Sequence, residues 1–432
     1  MSRLLSRAGL SVLALLLLAP ASFPQFDAKR ERGRMKAMLD AVCDEVEKNF
    51  YDEKLRGLDW KALKEEANKN IDAANTAGAM ITAIFSLVNR LDDSHTVFLP
   101  PARVDKLKFG FEAKAFGDEV RVYEVKEKSA AAKAGLQVGD RLLKVEGWDV
   151  ERSTFDLMIV YLRALRPRSP WKITYSRAGQ APQEMLLEAQ VERGQVVEDL
   201  TRIDTIYQYI REAENEKEKY TYNTYDGGIG YVHLPSFSAG DEFMDRLMGR
   251  IKDSKAVIVD LRGNPGGSVE VLGKVAGYFE PGEVTMANMV KRQKSEPVKA
   301  RPRRPRLTGP MFVLVDSQSA SASEMFARHF QSTGRAKVIG DDTAGRVTAS
   351  RFFSRQIGVD VVVPFGVQVA VGRVVFPDGS ELEKRGVKPD TRCVPTGEQL
   401  SGKSDLCLAV AMWQARKALG LPEPVAKPTQ KQ

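Results

Sequence analysis

From Gly230 onward the chain alternates short apolar runs with amphipathic stretches, and no other feature restricts its fold so much. Residues 230–235, 256–261, 311–315 and 336–340 read as strands, and segments of helical period follow the first three. Strands separated by helices pair in parallel, because a helical crossover carries the chain back to the same end of a sheet. This half is therefore expected to be an α/β layer structure. A hairpin-like stretch over residues 358–376 completes it. The basic run 291–306 is broken by Pro297, Pro302 and Pro305, so it reads as a solvated loop, with an anionic-surface role as the weaker alternative.

The first half has a different texture. Met38, Leu39, Val42, Val46 and Phe50 recur at helical spacing, as do Met80, Ile81, Ile84, Phe85, Val88 and Leu91, with Asp59 placed as an N-cap between the two sets. Residues 22–104 form an N-terminal helical unit on this reading, ending in Asp93-Ser94-His95-Thr96 and the helix-stopping Pro100-Pro101. Strand-like and helical pieces follow. The string Ser129-Ala-Ala-Ala-Lys-Ala-Gly-Leu-Gln-Val-Gly-Asp-Arg-Leu-Leu-Lys-Val145 resembles the PDZ domains of bacteria, and the resemblance covers residues 105–190. It implies that the loop Phe109-Gly110-Phe111 offers backbone N–H groups to a peptide's C-terminal carboxylate while an edge strand pairs with the peptide main chain. The rings of Phe109 and Phe111 can also fill the domain's own core, and the two uses are compatible.

The N-terminus bears on compartment. Arg3 and Arg7 precede an apolar run from 10 to 19, and Ala19-Pro20-Ala21 has the small-x-small form that signal peptidase cuts, so residues 1–21 read as a signal peptide. The run is shorter than the roughly 20 residues a membrane span needs. A periplasmic or secreted protein without a stable membrane span is expected, with an uncleaved anchor as the alternative. Cys393 and Cys407 could then close a short disulfide loop, although three buried thiols, Cys43 among them, fit the sequence equally. The net charge of +8 is too diffuse to argue for nucleic acid. No metal-binding spacing of His and Cys occurs, so neither metal nor other cofactor is expected.

Two turns after strands carry possible chemistry. Asp260-Leu-Arg-Gly-Asn-Pro-Gly-Gly267 can aim successive N–H groups into one concavity, and without Gly-Lys-Ser/Thr it suits an oxyanion better than a phosphate. A plain tight turn would need the same glycines. Ser319-Ala-Ser321-Ala-Ser-Glu324 sits at a strand-to-helix turn, where a serine hydroxyl is exposed beside a helix N-terminus. Ser321-x-x-Glu324 is also a capping box, a purely structural device.

Those two motifs, followed by Gly340-x-x-Thr343-x-Gly345 and Gly386-Val-Lys-Pro-Asp390 behind a PDZ-like unit, closely resemble the tail-specific (C-terminal processing) serine peptidases and their tricorn-core relatives. The resemblance covers nearly the whole mature chain. It implies a crotonase/ClpP-like α/β protease core over residues 191–432 with an inserted α+β PDZ domain. It also implies Ser321 as nucleophile, and an oxyanion hole from Ala322 and either Gly266 or Gly267. One departure matters. The Lys that serves as base in the processing peptidases is Arg346 here, and the Gln four residues on is Ser350. A guanidinium stays protonated in proteins and cannot take the serine proton. The tricorn-core resemblance offers Ser94 and His95 instead, with Glu383 to orient the imidazole and Glu381 as the competing carboxylate. His233 and His329 read as core or hydrogen-bonded histidines. The expected protein is an exported serine endopeptidase acting on polypeptides, captured by their C-terminal tails. The alternative is an inactive relative that only binds peptide or ligand. Oligomeric state is left open.

Overall fold

The computed structural model describes residues 28–101, 105–165, 167–193, 219–358, 362–402 and 404–422. The signal-peptide reading of residues 1–21 lies outside them. A six-stranded sheet forms the centre, in the order Thr221–Tyr225, Ile229–His233, Ala256–Asp260, Met311–Val315, Ala336–Gly340, Thr391–Arg392. All but the first strand run parallel. Ala256–Asp260 and Met311–Val315 are buried at every position, because helices cover both faces of the sheet. Phe326, Phe330, Leu272 and Met248 pack on one face, and Cys393, Cys407, Val410 and Ala415 on the other.

A second sheet joins the two ends of the chain. Val97–Leu99 pairs antiparallel with residues 366–368 of the long strand Val363–Val375. The helices Ala28–Asn49 and Ala77–Asn89 lay Met38, Val42, Ile84 and Val88 into the cluster formed with Phe365, Val367 and Val369 of the same strand, and the helix Trp60–Ala73 packs on both helices. Asp59 caps the second helix as its position suggested, accepting a bond from the Ala62 N–H at 3.0 Å. This packing carries Ser94 and His95, at the end of the helical unit, to the peptidase-like core.

Two expectations about this sheet are corrected. The hairpin begins earlier than residue 358: its first strand is Ala349–Ile357, paired along its length with Val363–Val375. The basic run also contains a strand, Ser295–Ala300, paired with Val284–Val290. That strand is at the sheet's edge, where the missing N–H of Pro297 costs no ladder bond.

The PDZ-like unit is a separate sheet built on Phe111–Phe116, Glu119–Val125, Arg141–Val145, Trp171–Ser176 and Gln183–Leu187, with the helices Ala130–Ala134 and Phe155–Val160. Phe109 and Phe111 are buried in its core, and the Phe109 ring stacks on Trp171 with centroids 3.9 Å apart. Gly110, at φ 81°, is required to be glycine: a Cβ there would come within 2.1 Å of the Ser129 Cβ. Its own N–H finds no hydrogen-bond partner among the described residues. The unit is fastened to the core by Lys114 on Asp316 (2.5 Å), Arg152 on Asp341 (2.8 Å) and the Ser317 hydroxyl on the Ala115 carbonyl (2.6 Å).

Cys393 and Cys407 are disulfide-bonded, which selects between the two readings of these cysteines. Cys43 is free, and burial pushes its thiol up to about 12, where it behaves as a small apolar group. Among the described residues no helix is long and apolar enough to cross a membrane.

Candidate active site

The strand Met311–Val315 ends in a turn that throws residues 319–321 upward before the helix Ala322–Ser332 begins. Ser321 adopts φ 55°, ψ −116°, a region that residues with a Cβ avoid. Strain of this kind persists only where the surroundings enforce it, and here they do. The Ser321 N–H donates to the Arg346 carbonyl (2.7 Å) and to Glu324 Oε2 (3.0 Å). The neighbouring serines differ in kind. Ser319 Oγ donates to the Leu261 carbonyl (2.8 Å) and Ser323 Oγ to that of Asn264 (3.0 Å), both in buried surroundings. Ser321 is the partly exposed member of the three.

Glu324 does more than close a capping box. Its carboxylate is wholly buried and accepts from the Thr343 hydroxyl and from the N–H groups of Gly345 (2.8 Å), Arg346 (2.9 Å) and Ser321. It thereby clamps the loop 343–346 against the serine turn. Burial pushes its carboxyl above the ordinary range even though all these donors pull the other way.

The Gly-rich loop packs against Ser321 from the other side. A Cβ on Gly266 would come within 2.7 Å of the Ser321 Cβ, and one on Gly267 within 2.6 Å of the Phe237 carbonyl oxygen. Of the amides named for an oxyanion hole, that of Gly266 is already engaged by Asn264 Oδ1 at 2.8 Å. Those of Gly267 and Ala322 have no hydrogen-bond partner among the described residues. Arg262 of this loop is half-buried and bonded to Asp260 and, by both terminal nitrogens, to Asp405 (2.8 and 2.6 Å). Asp405 caps the helix that begins Leu406-Cys407. The disulfide thus lies one step from the glycine turn.

His95 arrives from the N-terminal unit. Its backbone N–H is held by Asp93 Oδ1 (3.0 Å), and its ring Nδ1 lies 2.9 Å from Ser94 Oγ and 3.2 Å from Thr348 Oγ1. Glu383 receives the Ser94 hydroxyl (3.1 Å), the Ser94 N–H (3.2 Å), the Val347 N–H (2.9 Å) and, at 3.5 Å, the Thr348 hydroxyl. Glu381 points elsewhere, to Arg373 at 2.7 Å. The carboxylate therefore reaches the imidazole only through hydroxyl groups. Since each hydroxyl can donate to Glu383, each can accept from Nδ1–H, which fixes the tautomer with its lone pair on Nε2. Nε2 itself has no hydrogen-bond partner among the described residues. Burial lowers the ring's affinity for a proton below the ordinary imidazole value of 6.5; Glu383 opposes this and Arg346 reinforces it.

Arg346 bonds Ser321 and Glu324 only through its backbone. Its guanidinium turns away to Asp156 of the PDZ-like unit, 2.6 Å distant, and Ser350 receives the Gln368 side chain at 2.7 Å. Neither side chain is bonded to Ser321. His233 bonds to backbone carbonyls, and His329 is buried against Glu280 at 2.7 Å. Thr348 is the member of the His95 cluster that the sequence reading missed. Its place two residues after Arg346 is its one signal, and this becomes visible only once the loop is seen to pass beside the imidazole. Among the described residues no group of His, Cys, Asp and Glu could hold a metal ion.

A doubly covered parallel sheet with a serine on a strained strand-to-helix turn, joined to a PDZ fold, is the build of a serine-type peptidase. Residues 228–393 match the family described as Peptidase family S41, residues 105–191 the PDZ domain, and residues 34–83 the Tricorn protease C1 domain. The segment 228–393 thus carries the likeness to the serine peptidases of family S41, and over most of its length the chain is similar to proteins named carboxyl-terminal processing proteases. It is 24% identical over 323 residues to the carboxy-terminal processing protease CtpA of Bacillus subtilis, an alignment covering 72% of this chain and 63% of that protein. To the carboxyl-terminal-processing protease of a Picosynechococcus species it is 25% identical, over 80% of each chain. Among solved structures it is similar to mature CPAF (TM-score 0.64, 13% identity, 90% of this chain and 98% of that one). It is also similar to the photosystem II D1 C-terminal processing protease (TM-score 0.51, 20% identity, 85% and 98%). These structural likenesses speak for the fold.

Proposed function

We propose that this chain is an exported endopeptidase that holds polypeptides by their C-terminal tails and cuts them through an acyl-enzyme on Ser321. One observation carries the reading: the imidazole of His95 and the turn bearing Ser321 are both bonded to the single stretch Arg346–Thr348, while the guanidinium in that stretch is directed to Asp156. On this reading His95 Nε2 takes the proton as Ser321 Oγ attacks the scissile carbonyl carbon, and the charge that develops on oxygen meets the N–H groups of Gly267 and Ala322. The imidazolium then protonates the leaving amine, and water, deprotonated by the same ring, releases the acyl group. Ser94, Thr348 and Glu383 hold the ring and stabilise its charged form. The loop around Gly110 receives the tail's terminal carboxylate, in keeping with its positive φ and unengaged N–H.

The purified enzyme should be labelled by a fluorophosphonate and should hydrolyse unstructured peptides, and Ser321→Ala should do neither. Retained peptide affinity without label or turnover would instead mark a binding module, the alternative that Arg346 leaves open. Export is supported by the disulfide, which persists in oxidising compartments. Intact mass of the protein recovered from the compartment should correspond to a chain starting at Ser22, and a retained Met1 would refute cleavage.

A further inference from the structure

Arg346 uses its backbone for the serine turn and leaves its side chain for something else. The N–H is spent on Glu324 and the carbonyl on Ser321. The side chain leaves the loop and meets Asp156 on the helix Phe155–Val160, whose outer positions Leu157 and Val160 are exposed. The ion pair therefore bridges the PDZ-like unit and the Ser321 turn, and its guanidinium lies near enough to His95 to disfavour a second positive charge there. The pair thus stands between the helix Phe155–Val160 and the loop whose backbone is bonded to Ser321.

Both partners are open to solvent, with 44% and 58% of their side chains accessible. Exposed pairs contribute about 0–1 kcal/mol, so another carboxylate can take the place of Asp156 at little cost. A guanidinium is also suited to the exchange, since its planar fork binds carboxylates by two parallel bonds. A lysine at this position would be a proton acceptor when desolvated; an arginine can only be a binding group.

We infer that Arg346 is a specificity-determining residue that favours polypeptides carrying an Asp or Glu side chain beside the scissile bond, with Asp156 holding the guanidinium in place until substrate arrives. This rests on the peptidase reading above, in which the terminal carboxylate is taken by the PDZ-like loop and the group left for Arg346 is a side chain.

The test uses the full-length protein and sets of peptides identical except for Asp or Asn at one residue, moved through the positions flanking the cut. At one of these positions the wild type should prefer Asp by roughly three- to tenfold in kcat/KM, mostly through KM, and the preference should shrink as salt is raised. Arg346→Gln should bring the ratio to about one, whereas Asp156→Asn, which frees the guanidinium, should keep or enlarge it. An Asp-to-Asn ratio unchanged in Arg346→Gln, or one that falls in Asp156→Asn, overturns the assignment while leaving the peptidase reading intact. Failure of the wild type to cut any peptide or accept the fluorophosphonate overturns both.

Discussion

Replacing His95 with alanine is expected to lower kcat/KM by about 10⁴-fold, with the fold retained. Of the carboxylates and bases described around the Ser321 turn, Glu324 has its oxygens engaged by four donors and Glu383 contacts hydroxyls and amides, whereas Nε2 of the imidazole is unengaged and Arg346 cannot accept a proton. On the proposed mechanism nucleophile and base act as a unit, so adding Ser321→Ala to His95→Ala should cost almost nothing further. Ser94→Ala should be milder, on the order of tenfold to a hundredfold, since Thr348 remains within 3.2 Å of Nδ1 to hold the ring. The pH profile adds an independent check. With His95 as the base the neutral ring is the active form, and its proton affinity is lowered, so the acid limb of kcat/KM should lie below the ordinary imidazole value of 6.5, and activity should persist as the pH falls to that value. Full activity in His95→Ala, or an acid limb above 6.5, would reject the imidazole as base without touching the nucleophile.

The second large effect is expected at Glu324, which touches no substrate. Alanine there leaves the N–H groups of Ser321, Gly345 and Arg346 and the Thr343 hydroxyl without their acceptor in a buried place. Each orphaned group costs on the order of 1–3 kcal/mol, so a loss of about 3 kcal/mol or more in unfolding free energy is expected, readable by denaturant titration. Hydrolysis should fall by about 10²-fold or more even at temperatures where the protein is folded, because the backbone of Ser321 loses what holds it in its strained conformation. Glutamine should be intermediate. It removes the burial cost of a charge, yet its NH₂ end cannot accept, so two of the four donors stay unpaired. Wild-type stability and turnover in Glu324→Ala would mean that the clamp is decorative.

The legible and the hidden parts of this chain separate along a physical line. Strands Ile229–His233, Ala256–Asp260, Met311–Val315 and Ala336–Gly340 were readable because burial on both faces makes them continuous apolar runs bounded by turn residues. Ala349–Ile357 escaped notice because its positions are half-buried or exposed and carry Ser, Arg and Gln, so no alternation stands out. Ser295–Ala300 is masked by Pro297 and by the basic residues in and around it, of which Lys299 pairs with Glu283 across the hairpin while Lys291 and Lys294 pair with Glu296 of the strand. At the site, the missing lysine was plain from residue identity. The engagement of the Gly266 amide by Asn264 and the part played by Thr348 depend on how two loops meet, and no local pattern encodes that.

The antiparallel pairing of Val97–Leu99 with residues 366–368 has a consequence for the life of the molecule before it is finished. Contacts separated by some 270 positions are among the last to be made when a chain is synthesised or threaded through a translocation channel from its N-terminus. In the proposed mechanism the proton acceptor emerges early and waits, inert, until nearly the whole polypeptide has followed. On that mechanism a nascent copy gains its base only once Val363–Val375 has paired with Val97–Leu99.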